Sequence, residues 1–303
     1  MKKRNLIILI LLCILILGIG ISILYSYQPN SQFKDVTIME NEPSEDETEE
    51  LEKAQEEEEE QAEQESTDEA EQRPLTEIVV NVVENTMDFF SLRKSQVTAI
   101  GDSLTQGVGS KNEQGGYVGI LDRAINQEEE LVSFDNLGIR GNRSDQLLSR
   151  LEDPEVVDSI HQADIVLITI GANDIMQVVK ENFSNLKMED FDEARATYED
   201  RLRKIFTRIH EISPKSQVYL LGFYDPFSKY FQEIKELSMI VEEWNETSQM
   251  IAEEQENSTF IPTTDLFEGD EANLFAEDNF HPNDRGYKLM AQRVLDYLTR
   301  EEG

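Results

Sequence analysis

Cysteine and histidine are both scarce in this chain of 303 residues. The single cysteine, Cys13, excludes an internal disulfide framework, a Cys-ligated zinc site and a thiol-pair redox centre. Three histidines exclude a His-rich metal site and leave a short list for any reaction that needs an imidazole. Basic residues are also few: 27 Lys and Arg face 63 Asp and Glu, a net charge of −36. Phosphate backbones are bound by clustered Lys and Arg, so nucleic acid is not an expected partner.

The acid is concentrated in one place. Residues 40–72 hold 18 acidic residues and one Lys, so about 11% of the chain carries −17 of the −36. With that stretch set aside, a hydrophobic content of 39% suffices for a core in the remaining ~200-residue domain. Residues 28–75 are rich in Glu and Gln and cannot bury enough apolar area to offset the entropy of ordering. They are expected to form a disordered, self-repelling spacer, with an end-to-end distance of roughly 35–40 Å or more.

Ahead of the spacer stands a membrane address. Lys2, Lys3 and Arg4 precede Leu6 to Leu24, nineteen residues without a charge. At helical rise such a run spans roughly 28 Å, close to a hydrocarbon core of about 30 Å. The run is longer than the apolar region of a cleavable signal peptide, and Ser22 to Ser26 makes a poor cleavage site. Residues 1–27 therefore read as a retained, single-pass membrane anchor. The basic flank stays in the cytoplasm, and the rest of the chain lies on the extracytoplasmic side. Thr76 to Phe90 is apolar at Ile78, Val79, Val82, Val83, Met87 and Phe90, the spacing of an amphipathic connecting helix within residues 76–94.

Residues 95–303 alternate between strand and helix patterns. Short β-rich runs at 97–100, 132–137, 165–170, 218–221 and 259–261 read as strands, and helical patterns fall at 117–126, 143–151, 190–211, 235–255 and 284–300. Such alternation predicts an α/β domain with a parallel sheet covered on both faces. Ligands of such sheets sit beyond the carboxyl ends of the strands. The segments found there are Gly101-Asp102-Ser103-Leu104-Thr105, Asn136-Leu137-Gly138 and Gly171-Ala172-Asn173-Asp174, with Asp278-Asn279-Phe280-His281-Pro282 ahead of the last helix. Alone, each segment is equally a turn, a capped loop or a helix cap.

Together and in this order, the four segments resemble the consensus blocks of the SGNH hydrolases, also called the GDSL lipase/esterase family. Ser103, Gly138, Asn173 and His281 stand where the family pattern asks for them, and the resemblance covers about residues 95–300. It implies a three-layer α/β/α, flavodoxin-like domain that hydrolyses esters or thioesters. The Gly-Asp-Ser-Leu-Thr and Gly-Ala-Asn-Asp blocks look most like those of bacterial lysophospholipase- and thioesterase-like members. No metal or organic cofactor is implied.

Residue chemistry leads to the same roles. Acyl transfer needs a nucleophile, a base, a group that orients the base, and donors for the oxyanion. Ser103 follows a strand and opens a helix. His281 is the base expected of the three histidines, because His161 and His210 fall within helical patterns. Asp278, three residues ahead, is close enough to fix its tautomer, while Asn283 or Asp284 is better placed to cap the last helix. The Ser103 and Gly138 backbone N–H groups and the Asn173 amide would receive the oxyanion. The Gly-x-Ser-x-Gly elbow of another serine-hydrolase layout is absent, since Thr105 stands at its last position. Asp102, Asp174 and Asp278 also admit a metal-dependent phosphatase, or are plain loop-fixing acceptors. The aromatic segment Phe223 to Trp244, with Phe227, Tyr230 and Phe231, reads as a lid or acyl-chain wall, or as core. The expected substrate is a small-molecule or lipid ester, lysophospholipids included; the runner-up is an acetylated cell-wall or surface glycan. A family member that binds without catalysing is the non-enzyme alternative, and the intact Ser103, Asn173 and His281 argue against it.

Overall fold

The computed structural model describes residues 95–111, 115–127, 129–182, 184–226, 235–268 and 273–299. The expected anchor (1–27), acidic linker (28–75) and connecting helix (76–94) lie outside the described residues, as do Phe227, Tyr230 and Phe231. Among the described residues, no helix is long and apolar enough to cross a membrane.

Five strands form one parallel sheet: β1 (Ser95–Gly101), β2 (Val132–Gly138), β3 (Ile165–Thr169), β4 (Gln217–Leu221) and β5 (Ser258–Ile261). Their order is β2-β1-β3-β4-β5, the flavodoxin-like arrangement. All five fall where the β-rich runs predict strands. Register levels the carboxyl edge. Gly101 at the end of β1 lies opposite Gly138 on β2 and Thr169 on β3.

The helices are α1 (Ser103–Gln106), α2 (Gly116–Ile125), α3 (Ser144–Arg150), α4 (Pro154–Gln162), α5 (Ala172–Glu181), α6 (Met188–Ile212), α7 (Lys235–Glu253) and α8 (Asp284–Leu298), with a 3-10 turn at Thr264–Phe267. The two-residue period of the strands assigns them to faces. Ile100, Val166, Ile168, Val218 and Leu220 join one core cluster with Leu147 and Leu151 at α3, Val156 and Ile160 of α4, Leu202, Ile205 and Ile209 of α6, and Trp244 and Ile251 of α7. The alternate residues Val97, Ala99, Ile165, Leu167 and Leu221 are equally buried and point the other way. There α2 and α8 pack on each other, α2 reaching β2 and α8 reaching β5. Helices thus cover both faces, which is why the central strand β3 reads as an unbroken apolar run, while the edge strands β2 and β5 are only partly buried.

One helix, α5, lacks a counterpart among the sequence patterns, and α4 shows only as the short helical stretch around His161. The α4 helix opens on Pro154 at its first turn, where the missing N–H costs nothing, and buries only Val156, Ser159 and Ile160. So short a stripe leaves little periodicity. The α5 helix begins one residue after Gly171, whose φ of 119° makes it the N-cap, so the Gly-x-Asn-Asp segment is a helix start rather than a free loop.

Ile168 sits fully buried in the middle of the sheet. Ile168→Ala is expected to cost about 2–5 kcal/mol of stability. Denaturant titration can follow it through the emission of Trp244, the single tryptophan and itself buried. A cost below about 1 kcal/mol would mean that this layer collapses around the cavity.

Candidate active site

Ser103 owes its place to the way β1 ends. Gly101 adopts a φ of 141°, and a Cβ there would come within 2.1 Å of the Thr169 carbonyl oxygen, so only glycine lets β1 and β3 meet this closely. Asp102 then continues the ladder, its N–H donating to Thr169 O at 3.0 Å. Its carboxylate caps α1 by accepting from Leu104 N at 3.0 Å, and it also accepts from the Thr169 hydroxyl at 2.8 Å. The Thr169 hydroxyl is bonded to that of Thr105 at 2.7 Å, and Thr105 contacts the Tyr117 hydroxyl at 3.3 Å. Ser103 is therefore the first residue of a one-turn helix anchored from beneath, and it is 6% exposed.

The imidazole arrives on a tightly turned loop. Phe275 and Pro282 form an isolated antiparallel bridge, and Ala276 N donates to His281 O at 2.8 Å. Between them Asn279 takes a left-handed φ of 54°. Asp278 Oδ1 accepts from Phe280 N at 3.0 Å and His281 N at 2.9 Å, while Oδ2 meets His281 Nδ1 at 2.6 Å. His281 Nε2 lies 2.9 Å from Ser103 Oγ, across 178 residues of sequence. An ionised carboxylate only accepts, so the ring proton belongs on Nδ1, and Nε2 is left to accept from the serine hydroxyl. Burial alone would raise the Asp278 carboxyl, but the His281 ring, its charge and the two backbone donors outweigh it and bring the group to about 2. The last helix is capped by Asn283, which accepts from Arg285 N and Gly286 N, so Asp278 is not the cap of α8.

The expected oxyanion donors flank Ser103 on the neighbouring loops. At Gly138 a Cβ would lie 2.2 Å from Gln106 N, so the end of β2 touches α1 only because the residue is glycine. The Gly138 N–H is already engaged, donating to Asn136 Oδ1 at 3.1 Å, and Asn136 Nδ2 in turn donates to Thr105 O at 2.7 Å. Asn173, in the first turn of α5, donates one amide hydrogen to Asn142 O at 3.0 Å and lines the same cleft as Ser103. The structure thus brings Ser103, Asp278 and His281 into one hydrogen-bonded chain, with Asn173 beside it.

That cleft, about 560 Å³ including its open mouth, lies on the β4 side of Ser103. Ile175 and Met176 of α5, Phe223 and Pro226 after β4, and Val241 of α7 make its wall largely apolar. Tyr224 also lines it, and its hydroxyl donates to Phe280 O at 2.7 Å, tying the wall to the imidazole loop. Trp244, further along the aromatic segment, is core: it stacks on Tyr198 at 4.9 Å.

The other candidates settle elsewhere. His161 Nδ1 contacts Ile212 O at 3.2 Å on the surface, and the ring of His210 stacks on Phe206 within α6. Asp102 and Asp174 are occupied as acceptors, the latter for Ser144. Among the described residues, no group of three His, Cys, Asp or Glu side chains is arranged to hold a metal ion. Sequence reasoning missed Ser144 and the partners of Asn136 and Asn142, while Tyr224, within the aromatic segment read as a possible wall, lines the cleft. Thr169, a lone hydroxyl near the end of an apolar run, also carried a visible signal.

A one-turn helix that presents a buried serine to an imidazole, at the carboxyl edge of a flavodoxin-ordered sheet, defines the site class of a serine hydrolase. The model of the GDSL-like Lipase/Acylhydrolase family matches residues 99–289. The chain belongs to this family and is an ester-hydrolysing enzyme. It is similar to the uncharacterized protein YpmR of Bacillus subtilis (strain 168), with 36% identity over 209 residues, 68% of this chain and 82% of that one. The spore germination lipase LipC of Bacillus licheniformis is 27% identical over 210 residues, 66% of this chain and 94% of the relative. Among solved structures, the lipase Lip_vut3 from a goat rumen metagenome matches with a TM-score of 0.58 at 27% identity, covering 66% of this chain and 95% of that one. A variant of Axe2, an acetyl-xylooligosaccharide esterase from Geobacillus, matches at a TM-score of 0.51 and 26% identity, covering 69% and 96%.

Burial pushes the Asp102 carboxyl from its ordinary 3.8 up to about 6, against the Leu104 and Thr169 bonds that favour its ionised form. The folded protein therefore holds this proton where the unfolded chain has released it. Asp102 costs stability progressively as pH rises from about 4 to 6, and the cost is complete above that window. Asp102→Asn is expected to stabilise the fold at pH 8 by on the order of 2–3 kcal/mol and to change little at pH 4. Unfolding midpoints at the two pH values check it. Equal shifts at both would remove Asp102 ionisation as the cause.

Proposed function

We propose that Ser103, His281 and Asp278 act as nucleophile, base and orienting acid in hydrolysis of carboxylic esters or thioesters by way of an acyl-enzyme. The observation that carries this reading is the 2.9 Å contact from Ser103 Oγ to His281 Nε2, continued at 2.6 Å to Asp278. Ser103 Oγ attacks the acyl carbonyl as Nε2 takes its proton, and Asp278 stabilises the imidazolium. The oxyanion takes hydrogen bonds from the Ser103 N–H, which as the first amide of a helix has no intrahelical acceptor, and from the second hydrogen of the Asn173 amide. Gly138 joins as a third donor when its N–H is exchanged from, or shared with, Asn136. His281 then protonates the leaving alcohol or thiol, and water repeats the sequence to release the acid.

The apolar cleft supports an acyl group longer than acetyl, so lipid-like esters, lysophospholipids included, are the favoured substrates. The likeness to an acetyl-xylooligosaccharide esterase favours a second reading, removal of O-acetyl groups from a cell-wall or surface glycan. The uncharged run Leu6 to Leu24 behind Lys2, Lys3 and Arg4 supports a domain tethered outside the cytoplasmic membrane. A C-terminal tag that resists protease on intact cells would overturn that location.

Ser103→Ala is expected to lower turnover by several orders of magnitude and to abolish labelling by a serine-directed phosphonate. Asn173→Ala is expected to cost on the order of 10²–10³ in kcat. Wild-type turnover in that variant would take the amide out of the oxyanion role. A panel of acetyl, octanoyl and lysophospholipid esters separates the two substrate readings. Met176→Trp, which fills the cleft, is expected to depress octanoyl turnover far more than acetyl. Equal losses on both would place the acyl chain elsewhere.

A further inference from the structure

Asn173 and Asp174 are consecutive at the start of α5, and both reach across to the segment that leads from β2 into α3. Asn173 Nδ2 donates to Asn142 O at 3.0 Å. Asp174 Oδ2 accepts from Ser144 N at 2.9 Å and Oδ1 from Ser144 Oγ at 2.5 Å. Two neighbouring residues on one element thus grip two near-neighbours on the other, with bonds running in opposite directions. Asp174 is only 6% exposed and Ser144 is fully buried. Arg201 of α6 stands behind them, its Nη1 3.6 Å from Asp174 Oδ1 and 3.5 Å from Ser144 Oγ. The carboxylate serves α3 as an N-terminal acceptor supplied from another helix, because Arg143 at the cap position offers no side-chain acceptor to Ser144 N.

The segment so gripped, residues 139–143, follows Gly138 directly. Its position decides where Asn142 O lies, and Asn142 O decides which way the Asn173 amide turns. An amide has two N–H bonds in a fixed plane, so using one on Asn142 O aims the other. We propose that Asp174 is a positioning residue for ester hydrolysis: its grip on Ser144 sets the rotation of the Asn173 amide that receives the oxyanion. The inference rests on the oxyanion role given to Asn173 above. Ser144 is the second member of the device, and Arg201 holds the carboxylate in the orientation that meets it.

The test is a double-mutant cycle on the full-length chain, with kcat and KM read on a chromogenic ester. Asp174→Asn keeps an acceptor for Ser144 N but meets Ser144 Oγ with an N–H group and gives up the charge that faces Arg201. A misaimed donor costs less than a missing one, so kcat is expected to fall about 10-fold with KM within about twofold. Ser144→Ala removes only the hydroxyl bond, and a fall in kcat of about threefold is expected. In the Asn173→Ala background both changes are expected to be nearly silent in kcat, because the amide they aim is gone. Losses that multiply fully with Asn173→Ala would assign Asp174 to stability alone and overturn the proposal, as would wild-type kcat in both single variants. Should Asp174→Asn fail to fold, the Ser144→Ala and Asn173→Ala cycle decides by itself. If Asn173→Ala alone retains wild-type turnover, the oxyanion reading fails first and the positioning role falls with it.

Discussion

The bond pair between Asp102 and Thr169 fixes the geometry on which the site depends. The Thr169 carbonyl accepts the Asp102 N–H and the Thr169 hydroxyl donates to the Asp102 carboxylate, so the ends of β1 and β3 are joined twice. From β1 the chain departs to β2 on one side, and it returns to β3 on the other. A crevice opens where the strand order reverses, and α1 and α5 start on its two lips. Ser103 and Asn173 are first-turn residues of those helices. Helix starts present unpaired N–H groups, which is the chemistry a developing oxyanion needs. The sheet thus supplies rigidity and donors together, and the imidazole loop only has to be brought over the top.

Three carboxylates near this edge behave differently for physical reasons that can be separated. Burial dominates at Asp102 and Asp174 and raises both. Asp278 is held low because its bonds with the His281 ring and with two backbone N–H groups outweigh its burial. At Asp174 the Ser144 bonds and the Arg201 charge 3.6 Å away do not offset deep burial, whereas at the less buried Asp278 the ring and the backbone bonds do. The carboxylate bonded to His281 is the one left nearest to solvent, while the deeper two fix loops.

Much of this was legible in the residues. The central strands stood out because both sheet faces are covered there, and the four site segments stood out because three follow strands and the fourth precedes the last helix, in a fixed order. Helix α4 showed only around His161, having too little apolar surface for a full period, and α5 did not show because it starts in residues that resemble a loop. Partnerships were the least legible. Asn136 was visible within its block, but its hold on the Gly138 N–H depends on the rotamer it takes beside α1. The pairing of Asp174 with Ser144 depends on which loop lies opposite, which no spacing encodes. The same holds for Tyr224, whose hydroxyl meets a backbone carbonyl 56 residues away.

That last bond divides the cleft wall into two kinds of residue. Met176 and Val241 project from helices into the cleft, whereas Tyr224 is fastened to the residue next to the base. Substitutions at the first pair alter the shape offered to a guest without tugging on the imidazole. An exchange at the tyrosine alters the cleft wall and the tie to the Phe280 carbonyl at once. Descendants of this scaffold thus have a cheap direction in which to diversify, along the helices, and a costly one, across the tyrosine hinge.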